Sequence, residues 1–113
     1  MSEYILLMHE NDHAWTLMPK DEQQRILKRY FAWVDELKST DSLRGGAPIS
    51  DEGTLLQSVD GEVVEGPYTE SKEVITGYFI LEADSLEAAV AIARNCPALG
   101  HGEKVVVKRL GHD

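Results

Sequence analysis

The chain has 113 residues, 20 acidic against 11 basic side chains and a formal charge of −9, which suits one domain and opposes binding to phosphate backbones or anionic membranes. Its apolar fraction of 42% is that of an ordinary globular protein, and at this length a core forms without disulfides or a structural metal. The single cysteine, Cys96, excludes an internal disulfide. Met1-Ser2-Glu3 is acidic where a secretory signal is basic, and the apolar run after it is too short to span a membrane, so a cytoplasmic location is expected.

Tyr4-Ile5-Leu6-Leu7-Met8 reads as a strand buried on both faces. Residues 9–18 mix charges with Ala14, Trp15 and Leu17 without a clean period and read as an ordered connection. Pro19 suits a first helical turn, and Asp21 and Glu22 place negative charge at the positive end of a helix dipole. Ile26, Leu27, Tyr30, Phe31, Val34 and Leu37 recur at steps of three and four, which predicts a helix over 19–38 with these six on its inner face. Residues 43–47 could form a short edge strand before Pro48. Asp60-Gly61 between 54–59 and 62–64 predicts a hairpin, because a type I′ turn needs positive φ at both central positions.

Residues 74–82, rich in β-branched and aromatic side chains, predict the next strand. Asp84 and Ser85 both offer N-caps, with Glu87 three residues after Asp84, and a second helix runs to about residue 95 before Pro97. A last strand covers 104–110. This order predicts an α+β fold, a ferredoxin-like βαββαβ sandwich with an extra β-hairpin, its helices on one face of an antiparallel sheet.

Strand alternation then bears on assembly. In the first strand Tyr4, Leu6 and Met8 oppose Ile5 and Leu7; in the third long strand Ile75, Phe79 and Leu81 oppose Tyr78 and Ile80; in the last, Val105 and Val107 oppose Val106 and Leu110. Two helices cover one face only, so a homodimer or higher oligomer is expected to cover the other.

Residues Glu65-Gly66-Pro67-Tyr68-Thr69-Glu70-Ser71-Lys72-Glu73 closely resemble the Asp-Gly-Pro-Phe-x-Glu-x-Lys-Glu signature of the DGPF group of YCII-related proteins. The resemblance extends over nearly the whole chain as one YCII-related domain, through the opening strand, Glu10 and Trp15, Gly77-Tyr78, Ser85 to Ala89, and the closing strand with Arg109. It implies a dimeric α/β barrel. It also implies that some wider relatives are enzymes, among them a dehydrochlorinase of chlorinated hydroxyquinols with a proposed His–Asp pair near the start of the first helix. Residues 19–25 contain no His, so that pair is not carried over. Some DGPF proteins are associated with extracytoplasmic-function sigma factors, which implies a non-catalytic interaction module as the alternative to a small-molecule binder or enzyme.

His9-Glu10-Asn11-Asp12-His13 matches H-E-x-x-H. That zinc motif works only when both His lie one turn apart on a helix; here it follows a strand and contains poor helix formers, so it reads as a chance match. No metal and no cofactor are assigned, and no complete catalytic set is present. The candidate ligand-binding residues are His9, Glu70, Lys72, Glu73, Tyr78, His101 and Arg109. The motif charges read either as turn-bracing surface groups or as the mouth of a cavity between sheet and helices. Tyr78 is a sheet residue whose hydroxyl seeks a partner, Arg109 a carboxylate fork or a surface ion pair, and His101, between two glycines, a solvated loop residue or a titrating one. Cys96 reads as a small core residue rather than a nucleophile.

Overall fold

The computed structural model describes residues 1–11, 14–68 and 73–112. Strand β1, Ser2–Asn11, extends beyond its apolar centre, so His9 and Glu10 belong to a strand rather than to a connection. A single helical turn α1, Ala14–Leu17, precedes the long helix α2, Lys20–Ser39, with Pro19 at its N-cap. The edge strand β2, Leu43–Pro48, ends on the proline that cannot donate to a ladder. Strands β3, Thr54–Val59, and β4, Glu62–Pro67, form the hairpin around Asp60 (φ 53°) and Gly61 (φ 84°). These are the two left-handed residues a type I′ turn demands. Then come β5, Glu73–Ala83, helix α3, Leu86–Ala93, a 3-10 turn at Pro97–His101 and β6, Lys104–Arg109. Of the two N-cap candidates Ser85 does the work, its hydroxyl accepting the Ala88 N–H.

Four strands form one antiparallel sheet in the order β2-β5-β1-β6, while β3 and β4 make a separate two-stranded ribbon. Counting only the strands of the main sheet, this is the 2-3-1-4 order of a ferredoxin-like fold with an inserted hairpin. Both helices lie on the face of Tyr4, Leu6 and Met8, where Trp33 and Leu37 of α2 and Ala89 and Ala93 of α3 complete the core.

The buried stripe of α2 differs from the expected one. Ile26, Trp33 and Leu37 are buried and Tyr30 is half-buried, whereas Leu27 and Phe31 face outward. The stripe 26-30-33-37 is narrower and rotated by roughly 50°, half the angle between successive residues. Trp33 sets the phase: it meets Phe79 edge-on with centroids 5.2 Å apart, and Tyr30 stacks on the same ring.

Ile75 also changes sides. The β1–β5 register shifts between Met8, opposite Gly77, and His9, opposite Ile75, leaving Thr76 as an extra residue in β5. Past this bulge Val74 turns into the core and Ile75 joins Ile5, Leu7, Tyr78, Ile80 and Val106 on the face that no helix covers.

Trp33→Ala should cost about 3–5 kcal/mol and Phe31→Ala, with its side chain 66% exposed, no more than about 0.5 kcal/mol. Urea denaturation of both variants checks the phase of the helix, since equal losses would contradict it.

Candidate functional site

The bulge that moves Ile75 outward also hands Thr76 to the helix side of the sheet. Its hydroxyl donates to Glu103 Oε1 at 2.6 Å and lies 3.4 Å from the Met8 carbonyl oxygen. The second carboxylate oxygen of Glu103 is hydrogen-bonded to His101 Nε2. These two residues are neighbours because the 3-10 turn ends on Gly102 in the left-handed region (φ 87°), with the Gly102 and Glu103 amides both turned back on the Ala98 carbonyl. The histidine and glutamate side chains are 11% and 6% exposed, so His101 is a sequestered group and not a solvated loop residue. A buried carboxylate needs such partners, and Glu103 has one on each oxygen. His101 Nδ1 is buried with no hydrogen-bond partner among the described residues. The carboxylate thereby fixes the orientation of the imidazole ring.

Around the pair sits a tyrosine, a thiol and a second acid. Tyr30 packs edge-on to His101 and its hydroxyl reaches Met8 Sδ at 3.5 Å. Burial pushes the Tyr30 hydroxyl far up from its ordinary value, and the Cys96 thiol and Glu103 carboxylate beside it push the same way. Burial likewise raises the Cys96 thiol to about 11; a hydrogen bond with the Ala98 backbone opposes the rise and Glu103 adds to it. Cys96 is therefore a core thiol and a poor nucleophile at neutral pH. Glu10, also buried, accepts the Trp15 backbone N–H at 3.0 Å, and Gln23 of α2 ties the Trp15 carbonyl at 2.7 Å. The short α1 turn thus serves as a bracket that satisfies a strand-borne acid.

His101 forms one wall of a cleft of about 170 Å3 between α2 and the 3-10 turn, which Glu22, Arg25, Ile26, Arg29 and Gly100 complete. On the other side of Arg29 a wider, shallower cleft of about 430 Å3 runs along α2 past Trp33 to Asn95 and Pro97. Both lie within the helix layer, because Tyr30, Trp33 and Phe79 fill the space between sheet and helices.

The other candidates named from the sequence do not gather around His101. His9 and Tyr78 point to the open sheet face, opposite Ile75 and Leu7. Arg109 is exposed near the end of β6, and Glu73 begins β5. Glu70 and Lys72 lie outside the described residues, as do Asp12 and His13. His9 and Glu10 alternate across a strand, an arrangement that cannot present them as one helical face. Sequence reading missed Glu103, Thr76, Tyr30, Arg25 and Arg29. The first of these carried a signal: a His and an acid two residues apart, around a glycine suited to positive φ.

The YCII-related domain model matches residues 2–110, and the chain belongs to that family. It is 25% identical over 96 residues, 81% of this chain and 77% of the other, to an uncharacterised protein of Rhizobium meliloti (strain 1021). Among solved structures it is similar to 5-chloro-2-hydroxyhydroquinone dehydrochlorinase (TftG) from Burkholderia phenoliruptrix AC1100, in complex with 2,5-dihydroxybenzoquinone. The TM-score is 0.46 and the identity 21%, over 96% of this chain and 95% of that one.

A thiol raised from 9.0 to about 11 in the folded chain keeps its proton there while the unfolded chain has lost it. Its contribution to stability is complete below pH 9 and is lost as pH climbs towards 11. The melting temperature should fall over that range, and Cys96→Ala should flatten the fall whatever its effect at pH 7.

Proposed function

We propose that the protein binds a small anionic molecule in the cleft between α2 and the 3-10 turn, with His101, oriented by Glu103, as the proton acceptor toward it. The observation that carries this reading is the sequestered His101–Glu103 pair forming a wall of a cleft that also holds Arg25 and Arg29. In a chain of charge −9, this cleft gathers two guanidiniums beside the carboxylates of Glu22 and of Glu103, which holds His101. Arginine forks suit carboxylates and enolates. A cavity of about 170 Å3 is below the ~300 Å3 at which drug-sized sites begin and suits a compact acid. A histidine held by a carboxylate is a common way to accept a proton from a carbon or oxygen acid. Thr76 and the carboxylate keep the ring in one orientation, which is the positioning such a step requires.

The protein acts as a homodimer in this reading, since Ile5, Leu7, Ile75, Tyr78, Ile80 and Val106 share a face with no helix over it. Apolar surface of that kind is favourable to bury at roughly 25 cal/mol per Å2.

Thermal denaturation against a panel of small mono- and dicarboxylates tests the site. A ligand at a hundred times its Kd adds about 2.7 kcal/mol, which raises the melting temperature by several degrees. The gain should vanish in Arg25→Ala/Arg29→Ala. His101→Asn should keep binding within about tenfold while abolishing any proton exchange from the bound acid, followed by deuterium uptake in NMR. A panel that leaves the melting temperature unmoved with well-folded protein would sink the reading.

A further inference from the structure

The hairpin of residues 54–67 has no place in its own subunit. Among the described residues it hydrogen-bonds to no other strand, and every residue of β3 and β4 except Gly66 is exposed. Leu55, Leu56, Val59, Val63 and Val64 are among them. An isolated two-stranded ribbon is marginal in water and persists when something packs on it. Its root is fixed: the Ile49 N–H donates to the Thr76 carbonyl at 3.0 Å, and Tyr68 packs by Gly53. The whole molecule, arm included, measures 49 × 42 × 18 Å. The radius of gyration, 16.2 Å, exceeds the roughly 13 Å of a compact chain of this length. A slab 18 Å thick leaves no room for the arm to fold back over its own open sheet face.

We infer that in the homodimer the β3–β4 arm of each copy reaches across and packs on the open sheet face of its partner, along β6. Charge selects that place. The segment 49–68 carries Asp51, Glu52, Asp60, Glu62 and Glu65 and no Lys or Arg, while β6, Lys-Val-Val-Val-Lys-Arg, has three bases and no acid. The β6 strand is a free edge of the sheet, and its alternation sets Lys104, Val106 and Lys108 on the open face. On the arm, register sets Leu55, Val59, Glu62 and Val64 on one side, an apolar surface with an acid that matches that row. Size agrees, because a stable interface uses about 20–30 residues a side. The open face of one four-stranded sheet is short of this, and the arm makes up the difference. An acidic arm also disfavours docking along other acidic surface of this chain, which is specificity by repulsion.

This inference rests on the homodimer of the proposed function, and sedimentation analysis separates the two. Four samples are compared: the full chain, a chain with 54–67 replaced by a short Gly-Ser link, E62K, and K104E/K108E. The full chain should be a dimer, and the armless chain, folded by circular dichroism, should dimerise at least about tenfold more weakly. Each charge variant alone should weaken dimerisation several-fold, and an equimolar mixture should regain it, since each arm then meets an opposite β6. An armless chain that dimerises undiminished overturns the arm and leaves the dimer standing. A full chain monomeric throughout overturns both. Should the armless chain not fold, the charge variants decide alone: a mixture that stays weak overturns the pairing of arm with β6.

Discussion

The extra residue in β5 is the constraint on which the rest of the structure turns. Where Thr76 steps out of the β1–β5 ladder, the parity of the strand changes, so Val74 enters the core and Ile75 leaves it. The same step frees the Thr76 hydroxyl to hold Glu103, and Glu103 in turn holds His101. A regular strand would direct residue 76 to the open face and leave one oxygen of a buried carboxylate without a donor, at a cost of about 1–3 kcal/mol or more for a charged group. The bulge therefore links a sheet irregularity to the only sequestered histidine–carboxylate pair among the described residues.

That pair also explains the crowding of polar groups at this end of the core. Glu10, Glu103, Tyr30 and Cys96 sit where β1, β5, α2 and the 3-10 turn converge. Each has a partner: Trp15 of α1 for Glu10, Met8 of β1 for Tyr30, Thr76 of β5 for Glu103 and the Ala98 backbone for Cys96. A fold that needed only stability could fill the same volume with apolar side chains at no loss. Burial moves the tyrosine and the thiol toward their protonated forms, so neither is an ionised group at neutral pH.

The elements were legible in the sequence wherever a local rule sufficed. Asp60-Gly61 announced its turn, Pro19 and Ser85 their helix starts, and the apolar run 4–8 a central strand, since each rests on the backbone preferences of a few residues. What was lost depended on tertiary choices. The stripe Ile26, Leu27, Tyr30, Phe31, Val34, Leu37 fits helical spacing as well as 26-30-33-37 does, and only the ring of Phe79, some fifty residues on, selects Trp33. The bulge had no sequence mark beyond Gly77 next to Thr76. His101 looked exposed because glycines flank it, but Gly102 is there for its φ of 87°, the conformation that folds Glu103 back beside the histidine.

Charge follows the same division between local pattern and assembled shape. Five of the eleven bases, Lys20, Arg25, Lys28, Arg29 and Lys38, lie on α2 beside four acids, Asp21, Glu22, Asp35 and Glu36, and three more bases lie on β6, which has no acid. Summed over the chain this gives −9 and reads as a uniformly anionic surface. Folded, it gathers bases in two places: the cleft of about 170 Å3 that Arg25 and Arg29 line with His101, and the β6 edge of the sheet. Coulomb attraction between exposed charges fades within about 8–10 Å at physiological salt, so local arrangement outweighs net charge for anything that docks at contact distance. A small acid and an acidic hairpin are different ligands, but a strongly anionic chain can hold either only by concentrating its few bases in this way.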